Sequence, residues 1–292
     1  MARSSKYGIR ELHRDFPTEK ACLNFIFKKL HTRKCFCGGT YSLMKGRKLF
    51  QCSGCRFQIA PTARTALHKS STPLVLWFHA AMVFSNAKSG ISAKQLERIL
   101  AVTYKCAWRI LHSIRTSLEQ SMQKLQGIVE IDGAYIGGRK NRNQGRSEAI
   151  LKKSVALAAI ERSGKIKVRT VQGTGARPTT DFIFSSIDTG AKLMTDKSGS
   201  YVRASKIYDR QSVNHSQKEY VRKDVHVNTT ESFWSHVKRS VAGTHKSVSK
   251  HHLQSYLDAF VFHYNNRRND KERFLALLGI LLTPSTRQKT PF

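Results

Sequence analysis

The spacing of apolar residues changes along the chain, and each change predicts a change of structure. Within FPTEKACLNFIFKKL (16–30), Cys22, Phe25, Ile26 and Leu30 recur at helical spacing behind Pro17 and Thr18. This predicts a short amphipathic helix with Cys22 in its packed stripe. Residues 34–63 lose the helical period, and a β-like segment lies between two cysteine pairs. From Leu74 to about Gln123 the helical spacing returns. PLVLWFHAAMVFSNAK predicts a strongly apolar, packed helix, and ISAKQLERILAVTYKCAWRILHSIRTSL reads as helix, tight turn, helix. Ser92 is the expected cap of the first of this pair, with Leu96, Ile99 and Leu100 on its inner face. Thr103 caps the second, whose Ala107, Ile110, Leu111 and Ile114 face inward, and Cys106 is expected to pack. Tyr104, Lys105, Arg109 and His112 are left on other faces.

Beyond Leu125 the texture turns to strands. GIVEIDGAYIGG, KSVALAAIER and KIKVRTVQG are three β-like runs, joined by the polar loop 139–149 and a turn at Ser163-Gly164. TTDFIFSSID predicts a helix, AKLMTD a short buried strand, SYVRASKI the start of a helix, and residues 229–240 a further helix. SKHHLQSYLDAFVFHYNNRR adds one more helix, before FLALLGILL and a polar tail. Three strands, helix, strand, helix and helix match a mixed sheet of ribonuclease-H type, with the fourth strand beside the first. The expected fold is therefore α+β and multidomain. Residues 1–63 would form a helix and cysteine ribbon, 64–124 a helical region, 125–245 the sheet domain, and 246–292 C-terminal helices and tail.

Charge narrows the choice of partner. There are 51 Lys and Arg against 19 Asp and Glu, a formal net charge of +32. Because 40% of residues are hydrophobic, the chain folds rather than serving as a basic tail. Self-repulsion on that scale is relieved by a polyanion, and the bases run the whole length, notably in RKNRNQGR at 139–146 and from Lys238 to Arg273. A solubilising or membrane-surface charge is the blander alternative. FLALLGILL is far shorter than the roughly 20 residues of a spanning helix, and MARSSKYGIRELHRDF lacks the apolar core of a secretory signal. A cytoplasmic, nucleoid-associated location is expected.

Four of the six cysteines cluster as Cys35, Cys37, Cys52 and Cys55, which without an export signal reads as a metal site before disulfides. Four thiolates flanking a hairpin suit one Zn²⁺ in a ribbon too small to have a core of its own. Cys52-Ser-Gly-Cys55 has the usual spacing, whereas Cys35-Phe-Cys37 is one residue short, so its knuckle hydrogen bonds are expected to be strained. A metal-free hairpin, or His31 as a substitute ligand, is the alternative.

The other candidate chemistry is acidic. Asp132 lies in the first strand, Asp196 ends the fourth, and Glu231 opens ESFWSHVKRS with Lys238 seven residues beyond it. Converging carboxylates of this kind hold Mg²⁺ or Mn²⁺, with two ions expected, and serve phosphodiester chemistry. Asp132 would bridge the ions and Asp196 and Glu231 would each anchor one. Asn228, three residues before Glu231, shares its helix face and competes with it as third ligand. Glu130 shares the strand face of Asp132 and either tunes the site or faces solvent. Lys238 and Arg239 are expected on phosphates, with Arg139, Lys140 and Arg142 on flanking DNA and Lys105 and Arg109 on DNA read by a helix-turn-helix. An ordinary helical hairpin would carry those last two residues equally well. Trp234 either stacks on a base or anchors the core. His215, His226 and His245 are expected to contact DNA or to form hydrogen bonds.

FQIAPTARTALHKSSTPLVLWF, GISAKQLERILAVTYKCAWRILHSIR, VEIDGAYIGG and the long block from VNHSQKEY to AFVFHYN together resemble a known family. It is that of insertion-sequence transposases with an N-terminal zinc ribbon and a DDE catalytic domain, related to the Merlin transposases. The resemblance implies binding to the ends of a mobile element, metal-dependent hydrolysis and strand transfer, and a homodimer or larger complex on DNA. It maps the first two catalytic positions to Asp132 and Asp196. The third falls on Glu231, given Lys238 seven residues later, or on Asn228. The chain departs from the family at Gly133, where relatives often carry an acid, and at the short Cys35–Cys37 knuckle. A transposase-derived DNA-binding protein without catalysis is the alternative reading, and a nuclease of RNA:DNA hybrids would leave the ribbon unexplained.

Overall fold

A computed structural model describes residues 6–137 and 153–284, which fall into two compact units. The first unit holds the chain up to Ala87, Ile91–Ser117 and the segment from Arg267 onward. The second holds Lys88–Gly90 and Leu118–Asn266.

In the first unit, α1 (Ile9–Asp15) precedes α2 (Glu19–Leu30), whose start is fixed by the Thr18 side chain accepting from the Ala21 N–H. The buried stripe of α2 is Cys22, Leu23, Ile26 and Phe27; the expected Phe25 packs edge-on against Phe16 and Phe78 and Leu30 is partly buried, so the stripe widens to include Leu23 and Phe27. The reason is Phe27, which stacks on Phe50 at 4.0 Å between ring centroids and turns that face of the helix toward the small sheet. That sheet is antiparallel, in the order β1 (Tyr41–Leu43), β2 (Phe50–Cys52), β3 (Gln58–Ile59). Cys22 is a core residue as expected, with its thiol pushed up to about 12 by burial. Next, α3 (Leu74–Asn86) buries Trp77, Phe78, Ala80, Ala81 and Phe84. Its capping position is Pro73, and the Glu19 carboxylate accepts from the Leu74 and Val75 N–H groups instead. Ser92 caps α4 (Ala93–Leu100), Ala101 turns the chain at φ 51°, and Thr103 caps α5 (Tyr104–Ser117). The four inward residues predicted for α5 are fully buried, but Ile99 is half exposed. The C-terminal helix of this unit, here α9 (Asp270–Leu282), packs on α3 and contains FLALLGILL.

The second unit is built on a five-stranded sheet in the order β6-β5-β4-β7-β8. β4 (Ile128–Ile136), β5 (Ser154–Glu161) and β6 (Ile166–Val171) run antiparallel, with Ser163 at φ 60° in the predicted turn. β7 (Lys192–Asp196) lies parallel to β4, so the fourth strand is beside the first. β8 (Arg210–Val213) adds a parallel edge that the sequence pattern did not predict. The expected helix at SYVRASKI is instead two short 3-10 turns, Gly199–Tyr201 and Ala204–Lys206, that lead into it. α6 (Ala176–Ser186) covers one face through Phe182 and Ile183, which pack on Val129, Ile131, Leu157 and Ala159. α7 (Asn228–Ser240) and α8 (Leu253–Asn265) cover the other, where Trp234, Val237, Leu257 and Val261 meet Ala134, Ala156, Ala158 and Ile160. β5 is thus apolar toward both layers, which explains its unbroken VALAAI run. The 246–292 stretch is divided, α8 lying in the sheet unit and α9 in the first.

Phe182 is 1% exposed, so Phe182→Ala is expected to destabilise the sheet unit by about 3–5 kcal/mol. Chemical denaturation followed by tryptophan fluorescence measures this, and a loss below about 1 kcal/mol would contradict the packing of α6 on the sheet.

Candidate functional site

Parallel pairing of β4 with β7 sets the core of the site. Glu130 is level with Met194, so Asp132 and Asp196, two residues further along each strand, are neighbours on one face. That face lies under α7. Trp234 of α7 donates its indole N–H to the Asp132 carbonyl at 3.4 Å and is 2% exposed, so it is a core anchor rather than a base-stacking residue. Glu231 lies three residues before it and Lys238 four after it, and both are exposed.

Charge ties these residues to one place. Burial is the main cause that pushes the Asp132 carboxyl up, to about 6. Its own Gly133 N–H, at 2.7 Å, opposes the shift, the Asp196 and Glu231 charges reinforce it, and Lys238 opposes it weakly. Burial first and the neighbouring acids second thus disfavour the Asp132 carboxylate, a cost that a divalent cation relieves. Oxygen-only donors suit Mg²⁺ or Mn²⁺ rather than a soft metal. Asp196 accepts from the Ser198 N–H at 3.2 Å, and its carbonyl accepts from Arg210 Nη2 at 2.9 Å. Arg210 also donates to Thr195 Oγ1 at 2.8 Å and lies over the Tyr201 ring. His215 Nδ1 is 3.6 Å from a Glu231 oxygen. Asn228 is the exposed first residue of α7.

The cysteines are gathered more tightly. Among the described residues, Cys35, Cys37, Cys52 and Cys55 are the one group of three or more acid, histidine or cysteine ligand atoms lying within 4.8 Å of one another. Cys35 and Cys55 sulfurs are 3.6 Å apart, and Cys37 and Cys52 sulfurs 3.4 Å. Sulfurs on a tetrahedral zinc with bonds of about 2.3 Å would be about 3.8 Å apart, so the set is compatible with that ion. The short knuckle, whose hydrogen bonds were expected to be strained, keeps N–H contacts to its sulfurs. The Cys37 N–H reaches the Cys35 sulfur and the Gly39 N–H reaches Cys37, which is held down to about 6. The Tyr41 hydroxyl donates to Cys35 at 3.2 Å. The Phe57 N–H favours a Cys55 thiolate, but the neighbouring Cys37 and Cys35 sulfurs and desolvation push that thiol up to about 12. A cation would relieve this repulsion. Glycine is needed at 39, where a Cβ would lie 2.6 Å from the Cys52 sulfur. His31 is not part of the cluster.

Other predicted contact residues are scattered. Lys105 is exposed on α5, whereas Arg109 donates to Thr72 Oγ1 at 2.8 Å. Lys238 and Arg239 are exposed in the last turn of α7, and Arg239 donates to the Ser235 carbonyl. Arg139, Lys140 and Arg142 lie outside the described residues. His245 meets the Tyr256 ring edge-on, and His226 approaches Glu130. Sequence reasoning missed Arg210 and Tyr201 near Asp196, and it left open the position of Glu130, which is fully buried. Strand period alone places Glu130 under α7, but no pattern announced Arg210.

Residues 124–265 match the family model of the ISXO2-like transposase domain. The chain carries an insertion-sequence transposase domain. An uncharacterized protein in transposable element ISH50 of Halobacterium salinarum is 28% identical over 228 residues, covering 72% of this chain and 76% of its own length. A simian T-cell lymphotropic virus intasome in complex with PP2A regulatory subunit B56 gamma matches at TM-score 0.33 and 10% identity, over 73% of this chain and 77% of that one. A pre-cleavage Mos1 transpososome matches at TM-score 0.28 and 11% identity, over 70% and 75%. The Mos1 strand transfer complex matches at TM-score 0.30 and 11% identity, over 73% and 79%. The transposase domain runs from before β4 to the end of α8, so it includes both aspartates and α7 and excludes the thiolate cluster. No helix among the described residues is long and apolar enough to cross a membrane.

The raised Asp132 carboxyl makes the folded transposase domain bind a proton more tightly than the unfolded chain. This group therefore costs stability as pH rises from about 4 to about 6, and the cost persists above that range. In EDTA at pH 7.5, Asp132→Asn is expected to raise the melting temperature by about 2–6 °C. Added Mn²⁺ should raise that of the wild type and leave the variant nearly unmoved. Calorimetry checks both, and a variant that melts lower than wild type in EDTA would contradict the reading.

Proposed function

We propose that this protein is a DDE transposase that binds the ends of its own mobile DNA element and catalyses metal-dependent phosphodiester hydrolysis and strand transfer. The observation that carries the reading is the placement of Asp132 and Asp196 two residues beyond the Glu130–Met194 pair on adjacent parallel strands, beside a Glu231 whose charge helps push the Asp132 carboxyl up. It lies within a transposase domain.

Asp132, Asp196 and Glu231 would hold two Mg²⁺ or Mn²⁺ ions. Such ions, when bound, activate the attacking water or 3′-hydroxyl and stabilise the leaving oxygen. The chain's own part is placement. Trp234 pins the Asp132 backbone under α7, and the Arg210 guanidinium fixes the end of β7 through the Asp196 carbonyl. Lys238 and Arg239, exposed seven and eight residues beyond Glu231, would grip phosphates flanking the scissile bond. Asn228 would support the site from the same helix turn as Glu231, which is the preferred third ligand because its charge acts on Asp132. Cys35, Cys37, Cys52 and Cys55 would hold a structural Zn²⁺ in an N-terminal ribbon, and α4 and α5 would present Lys105 to DNA. Pairing of two element ends would require at least two copies of the chain. The alternative, a DNA-binding derivative without catalysis, draws on Gly133 in place of an acid.

Asp132→Ala or Asp196→Ala is expected to lower Mg²⁺-dependent cleavage of labelled element ends by about a thousandfold or more, with DNA binding within a few-fold of wild type. Glu231→Ala should match them and Asn228→Ala should lose less. Wild-type protein that shifts the ends yet leaves every strand whole in Mg²⁺ or Mn²⁺ would select the non-catalytic reading. Zinc content should be about one ion per chain by elemental analysis and should fall sharply in Cys52→Ser. Zinc retained at full stoichiometry in that variant would remove the ribbon assignment.

A further inference from the structure

Glu130 has no role in the reaction just described, and it is among the most constrained side chains of the sheet unit. It is fully buried and accepts contacts on both oxygens. Oε1 receives the Arg162 Nε–H at 3.0 Å and the Thr229 hydroxyl at 3.1 Å, with His226 Nδ1 3.3 Å away. Oε2 receives the Thr229 backbone N–H at 2.8 Å. Arg162 in turn donates Nη2 to the Asp224 carbonyl at 2.7 Å, which ties the approach segment of α7 into the same knot. With its lone pairs so engaged, Glu130 is not a further metal ligand.

The knot sits at the first turn of α7. That helix begins behind Val227, whose side chain cannot cap it, and no side chain of the capping residue satisfies its first N–H groups. A carboxylate reaching in from β4 supplies the missing acceptor and places a negative charge at the positive end of the helix. The connection is short on both sides. Glu130 is two residues before Asp132 on β4, and Thr229 is two residues before Glu231 on α7.

We propose that Glu130 is a positioning residue, which locks the first turn of α7 to β4 and so sets the distance between Glu231 and Asp132. This rests on the reading of those two residues as metal ligands. Loosening the lock lets the Glu231 carboxylate drift while the β4–β7 pairing keeps Asp132 and Asp196 in place. The consequence is weaker hold on the divalent cation, with chemistry at saturating metal little changed.

The test uses full-length protein and Mn²⁺, with free metal read by electron paramagnetic resonance and strand cleavage measured across a Mn²⁺ titration. Glu130→Gln keeps the shape and loses the charge, and it should raise the half-saturating Mn²⁺ at least tenfold, with cleavage at saturation within about threefold of wild type. Thr229→Val removes only the hydroxyl donor and should raise it two- to threefold, which keeps the proposal testable if Glu130→Gln folds poorly. In a Glu231→Gln background the effect of either change should vanish. Wild-type Mn²⁺ dependence in both variants overturns the positioning role and leaves the transposase reading intact. A shift of undiminished size in the Glu231→Gln background also overturns it, because the lock would then be general scaffolding. Wild-type protein that neither binds Mn²⁺ nor cleaves removes the transposase reading itself.

Discussion

One strand pairing, β4 with β7 in parallel, is the constraint on which the transposase domain depends. Its register brings two aspartates side by side that are far apart in the chain, and α7 lies over them. Burying a carboxylate, here with like charges beside it, destabilises a fold, and the Asp132 carboxyl records that cost in its upward shift. The compensation lies in the layers above and below, where α6, α7 and α8 bury apolar side chains on both faces of the sheet.

Most of the sheet was legible in the sequence, since strands with helices between them leave strong periodic marks. β4, β5, β6, β7 and α7 all stand where residue spacing placed them, and the parallel neighbours followed from the order of elements. β8 escaped because four residues, Arg210–Val213, are too few to alternate visibly at a sheet edge. The turns before it were mistaken for a helix because SYVRASKI carries no glycine or proline.

The candidate site was legible in part. Acidic residues are scarce in this chain, so Asp132, Asp196 and Glu231 stood out. The residues that hold them did not: Arg210, Arg162 and Thr229 are ordinary members of a basic, polar sequence until the fold gives them partners. Glu130 was the instructive case. Strand period put it on the correct face, but its depth depends on the helix above it, and period carries no information about depth. The cysteine ribbon shows the opposite. Spacing alone suggested a defective knuckle, and local N–H to sulfur contacts accommodate the missing residue.

The floor beneath α7 is paved with Ala134, Ala156 and Ala158. Such a floor gives the domain a one-sided tolerance to change. Little can be trimmed from it, while each added methyl group acts as a shim that lifts the helix and its glutamate away from the strands. Drift at these unremarkable alanines would therefore move Glu231 off the two aspartates while leaving every recognisable motif in place.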